Sequence, residues 1–133
     1  MALRSLSFLI LFALGCDRRT PHGDVENQVA CYGVDYPTAL KRAYRSVEGL
    51  KGFFLLAGCT DAAGSEGYCA DLEKLMAFHG DARFAQAVES TSSAFRSLIL
   101  SFLVYVSGYG EHEGEWAKFR SRFPGTALLV NSQ

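Results

Sequence analysis

Ala94-Phe95-Arg96-Ser97-Leu98-Ile99-Leu100-Ser101-Phe102-Leu103-Val104-Tyr105-Val106-Ser107 decides the fold class of this chain. After Arg96 the run is apolar except at serines. Such a stretch is either a central helix, apolar on all sides, or a buried strand, and periodicity alone does not separate the two. Length favours the helix, because about fourteen residues is well beyond a strand of roughly five or six. Phe95, Ile99, Phe102 and Val106 also recur at three- and four-residue steps. The run is too short to be a membrane span: Arg96 and Gly108-Tyr109-Gly110 bound it well below the roughly 20 residues a bilayer core requires.

Upstream, Asp81 is placed to cap a helix that carries Phe84, Ala85 and Val88 inward. Ser90-Thr91-Ser92-Ser93 suits either a turn between two helices or a polar stretch inside one long one. Before it, Ser65 is expected to cap a helix whose Tyr68, Leu72, Leu75, Met76 and His79 share a face, with Gly80 ending it. Still earlier, Asp35 and Tyr36-Pro37 mark a helix start. Tyr36, Leu40, Tyr44, Val47, Leu50 and Phe54 then keep a helical period to about Ala57, with Lys41, Arg42, Arg45, Glu48 and Lys51 opposite. Gly49 and Gly52 either weaken this helix, by up to about 1 kcal/mol each, or admit close packing of a second one.

Downstream, Trp116, Phe119 and Phe123 form one face of a short helix. Pro124-Gly125 is expected to stop it, with Ala127 to Val130 lying back over the core as an extended tail. The expected fold is therefore all-α, a compact bundle of about four to five short helices stacked as hairpins over residues 35–133. The hairpins from Asp81 to Val106 resemble a HEAT-type pair, over about a fifth of the chain. That resemblance implies stacked helices and a binding surface.

The N-terminus is of another kind. Arg4 precedes an apolar run through Leu14, closed by Gly15-Cys16 and followed by Asp17-Arg18-Arg19. A charged start, an apolar segment of about eleven residues and a small residue at the break are the layout of an export signal. Ala13-Leu14-Gly15-Cys16 resembles the lipobox of bacterial lipoproteins. The resemblance implies removal of residues 1–15, lipidation of Cys16 and attachment to a membrane; several acyl chains together anchor stably. The small residues Ala13 and Gly15 also suit ordinary secretory cleavage, which leaves Cys16 a plain thiol. Residues 16–34 are polar, with Pro21 and Gly23, and read as a flexible stalk.

Composition narrows the function classes. The chain has 133 residues and a net charge of −1, which loss of Arg4 takes to −2. Its six Tyr, ten Phe and one Trp suffice for a core. No Lys/Arg block longer than a pair occurs, so a nucleic-acid partner is not expected. No phosphate loop, dinucleotide fingerprint, nucleophile elbow or zinc-helix motif is present, and no cofactor or catalytic residue is read.

Four cysteines remain to be placed: Cys16, Cys31, Cys59 and Cys69. Cys59 and Cys69 flank what reads as a loop from Thr60 to Tyr68 and are the expected disulfide of an exported protein. That closure would contribute roughly 2–3 kcal/mol. If Cys16 is lipidated, Cys31 is left over; if not, two bridges are possible. Elsewhere, Glu111-His112-Glu113 forms a dense polar cluster and a weak metal-site candidate, with His79 brought near by folding. Acidic residues of a first helical turn, facing solvent, account for it better, since neighbours in a helix do not face one another and a compact site would need an outside ligand. The basic face of Lys41, Arg42, Arg45 and Lys51 reads as solvated.

The functional expectation is a small exported, lipid-anchored helical module that binds another protein at the bacterial cell envelope, facing the periplasm or exterior. Alternatives are a metal-binding or enzymatic module centred on Glu111, His112 and Glu113, and a periplasmic toxin-neutralising immunity protein.

Overall fold

The computed structural model describes residues 35–60 and 62–133, with only the backbone described for 62–64. The export signal, Cys16 and the stalk lie outside the described residues. Within them the chain is all-α, as the apolar run from Ala94 requires, but it is divided more finely than the periodicity suggests. Seven α-helices follow one another: α1 (Tyr36–Arg45), α2 (Val47–Phe54), α3 (Ala62–His79), α4 (Asp81–Glu89), α5 (Ser93–Ser107), α6 (Glu113–Arg122) and α7 (Pro124–Asn131). A 3-10 turn, Leu55–Cys59, extends the end of α2.

The single helix expected from Tyr36 to Ala57 is two. Ser46 adopts an extended conformation (φ −158°, ψ 163°) and its side chain accepts the Gly49 amide at 2.9 Å, so one residue both ends α1 and caps α2. The two helices then fold closely on each other. A Cβ on Gly49 would run into the Arg42 carbonyl, whereas one on Gly52 would meet open space. Close approach thus explains Gly49 and not Gly52.

The polar cluster turns at 90–92, so 82–107 is two helices. Ser90 and Thr91 return their hydroxyls to the carbonyls of Ala87 and Val88 at 2.9 and 2.7 Å, drawing hydrogen bonds away from a continuing helix. The helix expected to start at Ser65 already begins at Ala62. The C-terminal tail is helical too, since Pro124 stands in the first turn of α7, where its fixed φ and missing N–H are no penalty.

The core joins all seven helices. Leu50, Phe53, Phe54, Tyr68, Leu72, Leu75, Met76, Phe84, Val88, Ile99 and Leu103 are each fully buried. Helix α1 packs on α2 and α3, α2 on α4, and α5 on α3, α7 and the 3-10 turn, while α7 lies against α4, α5 and α6. Rings interlock at the centre. Phe53 stacks on Tyr68 at 4.9 Å, and Phe54 meets Phe84 edge-on at 5.5 Å. The buried Tyr68 hydroxyl donates to the Phe53 carbonyl at 2.7 Å, which satisfies it without water.

Helix α5 departs from its expected burial on all sides. Ile99, Leu100, Leu103 and Ser107 face the core, but Leu98 and Tyr105 are exposed. No helix among the described residues is long and apolar enough to cross a membrane.

Candidate functional site

Among the described residues, the last two helices build a shallow pocket. Gly108 ends α5 in the left-handed region (φ 77°), and Gly110 keeps the turn left-handed (φ 83°). This tight reversal brings Tyr109 edge-on to Trp116 at 4.8 Å. Trp116 and Phe119 then bury one face of α6 and Phe123 follows at its C-cap, with successive rings 5.9 and 5.4 Å apart.

The start of helix α7 is fastened to α4. Both oxygens of the Asp81 carboxylate accept the first free amides of α7, Gly125 at 2.6 Å and Thr126 at 2.8 Å. Asp81 was expected to cap its own helix. It stands instead one residue inside α4, after Gly80 with φ 90°, and caps a helix 44 positions later.

Between α6 and α7 lies a shallow pocket of about 130 Å³, lined by Trp116, Arg120, Pro124, Ala127, Leu128 and Asn131. The α7 members fall at steps of three and four, so one helical face supplies them. The Arg120 guanidinium lies 5.7 Å from the centre of the Trp116 ring, and Leu128 stands 72 % exposed at the mouth. Arg122 and Lys118 add positive charge to the exposed side of α6, while α7 carries no charged residue. A volume this small is well below the roughly 300 Å³ at which small-molecule sites begin. It suits a single inserted side chain. Its lining holds no nucleophile and no acid–base pair.

The residues singled out from sequence are distributed differently. Glu111, His112 and Glu113 are all exposed at the start of α6, where the acidic pair Glu113 and Glu115 faces the positive end of the helix dipole. Among the described residues no three His, Cys, Asp or Glu side chains come together to hold a metal ion. His79 is not delivered to that cluster; its Nε2 lies 2.6 Å from the Ala43 carbonyl, tying α3 to α1. Lys41, Arg42 and Arg45 face solvent, and Lys51 pairs with Glu48 at 3.5 Å.

The expected Cys59–Cys69 bridge is not formed. Cys69 is a free thiol and only 5 % exposed. Helix formation from Ala62 removes the loop that was to join the two sulfurs. Cys69 lies two turns into α3, on a rigid helix and not on a loop free to close on Cys59. Burial, reinforced by Glu66 and Glu73, pushes the Cys69 thiol up to about 12, so it is no nucleophile. The neighbouring Tyr68 phenol is also pushed well up, first by burial.

One buried carboxylate went unremarked in the sequence. Asp71, 2 % exposed, accepts the Tyr36 hydroxyl at 2.5 Å, with the Lys74 ammonium 4.0 Å away. It fastens α3 to the first turn of α1.

Neither family models, nor curated proteins, nor solved structures match this chain.

Proposed function

We propose that this chain is a small exported, lipid-anchored helical protein that serves as a protein-binding module at the cell envelope. Cys16 supplies the membrane attachment, residues 17–34 the stalk, and the α6–α7 face the binding surface. The observation that carries the binding role is Leu128, an exposed leucine at the rim of the pocket formed by Trp116 and Arg120. Interfaces concentrate their energy in a few aromatic, arginine and aliphatic contacts around a small pocket. The partner that fits presents one apolar side chain to the pocket and a carboxylate to Arg120, a charge-assisted pairing that a guanidinium makes well.

A photo-reactive amino acid at position 128, introduced in cells producing the full chain, tests this. The expected result is one discrete adduct in the envelope fraction, lost on Arg120→Glu and absent with the probe at exposed Arg83. No adduct, or the same adducts from both positions, overturns the reading.

A further inference from the structure

The α6–α7 pocket offers an apolar slot and a fixed positive charge side by side. Trp116, Pro124, Ala127 and Leu128 supply apolar walls, and Arg120 and Asn131 are the polar members of the lining. Trp116 and Arg120 stand one turn apart on α6, so they share a side of the helix. The ring 5.7 Å from the guanidinium steadies it and leaves its N–H donors for a ligand. The opposite wall is fixed as well, because Asp81 holds the first turn of α7.

Charge on this face has one sign. From Trp116 to Gln133 the chain carries three cations, Lys118, Arg120 and Arg122, and no acidic side chain. Asp81 approaches α7 from α4, but both its oxygens are taken by the Gly125 and Thr126 amides. The complementary ligand is an anion with an apolar group beside it.

Distance then selects the kind of anion. An aliphatic group on the Trp116 ring packs at about 4 Å, and a carboxylate on a guanidinium has N···O separations of about 2.8 Å. With ring centre and guanidinium only 5.7 Å apart, the two ligand groups must lie close together. In the last residue of a chain they do. Its γ carbon and its carboxyl carbon are three bonds of about 1.5 Å apart, hence at most about 4 Å. Within a chain the acid must come from a second side chain. On a strand the next one on the same side is about 7 Å further on, and on a helix neighbouring Cβ atoms are about 5–6 Å apart. Either arrangement orders a further long side chain, at an entropic cost that a terminal carboxylate avoids.

We infer that the α6–α7 pocket takes the C-terminal residue of a partner protein, an aliphatic one such as leucine, with its side chain on Trp116 and its carboxylate on Arg120. This deepens the binding role proposed above and rests on it. Asn131, the other polar member of the lining, is left to accept the last peptide N–H through its side-chain oxygen.

Trp116 is the chain's one tryptophan, so its emission reports on this pocket. The test titrates the purified full chain with an acetylated tetrapeptide ending in leucine, once with a free C-terminal carboxylate and once amidated. The expected result is a saturable change for the acid and binding weaker by about tenfold or more for the amide, as a lost charge-assisted contact requires. Arg120→Gln should weaken the acid by a similar factor and leave the amide and the melting temperature unchanged, since Arg120 is exposed. Two further ligands fix the source of the carboxylate. An amide-capped peptide with an internal leucine two residues before a glutamate, and free 4-methylpentanoate, should each bind more weakly than the acid.

Equal binding of acid and amide, no saturable change with the acid, or either further ligand matching it overturns the inference. A match by the internal leucine–glutamate peptide removes the terminal residue while keeping the binding face. Flat titrations beside a discrete adduct from position 128 do the same, so the two readings fail separately.

Discussion

The Asp81 carboxylate and the Gly125 amide, 2.6 Å apart, join the start of α4 to the start of α7. A Cβ on Gly125 would fall 2.7 Å from Asp81 Oδ2, so glycine is needed at 125 because the cap arrives from another helix. Asp81→Ala should cost about 1–2 kcal/mol, the usual range for a lost cap. Gly125→Ala should cost at least as much in the native background and clearly less in the Asp81→Ala background, where the obstructing carboxylate is gone. Urea unfolding of the four proteins measures this coupling. Additive losses would show that the clash is not what constrains position 125.

Two glycines of one short helix should respond with opposite signs. Gly49→Ala drives a methyl group into the Arg42 carbonyl and must part α1 from α2, a loss of about 2 kcal/mol or more by overpacking. Gly52→Ala meets open space in a helix interior and should gain about 0.5–1 kcal/mol. Thermal melting of both variants decides it. Equal shifts in one direction would mean that helix propensity, not close approach, governs the pair.

The Tyr36 hydroxyl is a donor to a carboxylate that is almost wholly removed from water. Tyr36→Phe keeps the ring against Phe53 and removes only that donor. A lost charge-assisted hydrogen bond to a buried group costs about 2–3 kcal/mol. Chemical denaturation should show a loss of that order with an unchanged m-value; a change below about 0.5 kcal/mol would mean that the carboxylate is satisfied without Tyr36.

Cys69 gives the fold an alkaline limit. Its thiol titrates near 9 ordinarily and near 12 in the folded chain, chiefly because burial disfavours the thiolate. A folded value above the unfolded one means that stability is fully present below pH 9 and drains away as pH rises toward 12. The upper bound is about 1.4 kcal/mol for each unit between the two values, and Tyr68 acts in the same direction. The urea midpoint should fall between pH 9 and 10.5, and less steeply in Cys69→Ala. Identical slopes would assign the limit to the phenols of Tyr68 and Tyr44, both raised first by burial.

Much of this architecture is legible in the chain, for reasons tied to particular residues. Tyr36, Leu40, Leu50 and Phe54 lie on the inward faces that their spacing predicts, and so do Leu72, Leu75, Met76, Trp116 and Phe119. What escapes notice is tertiary. The apolar period from Tyr44 through Val47 to Leu50 runs unbroken across Ser46, so the pattern hides a helix break set by one side-chain cap. Asp81 reads as a local cap because its true acceptor geometry involves a helix 44 positions away. Gly64, Ser65 and Gly67 suggest a loop, yet α3 runs through them, and the Cys59–Cys69 pairing fails with that loop. The candidate site was half visible. Trp116 and Phe119 show a helical spacing, whereas Pro124-Gly125 reads as a stop, which hides that Pro124 opens the helix carrying Leu128.

Attachment through the chain's own N-terminus underlies the proposed role, and the intact mass of the protein recovered from membranes tests it most directly. The account predicts a chain beginning at Cys16 whose mass is raised by a diacylglyceryl group on sulfur and an acyl group on the amine. A chain of unmodified mass, recovered from the soluble fraction, would contradict it.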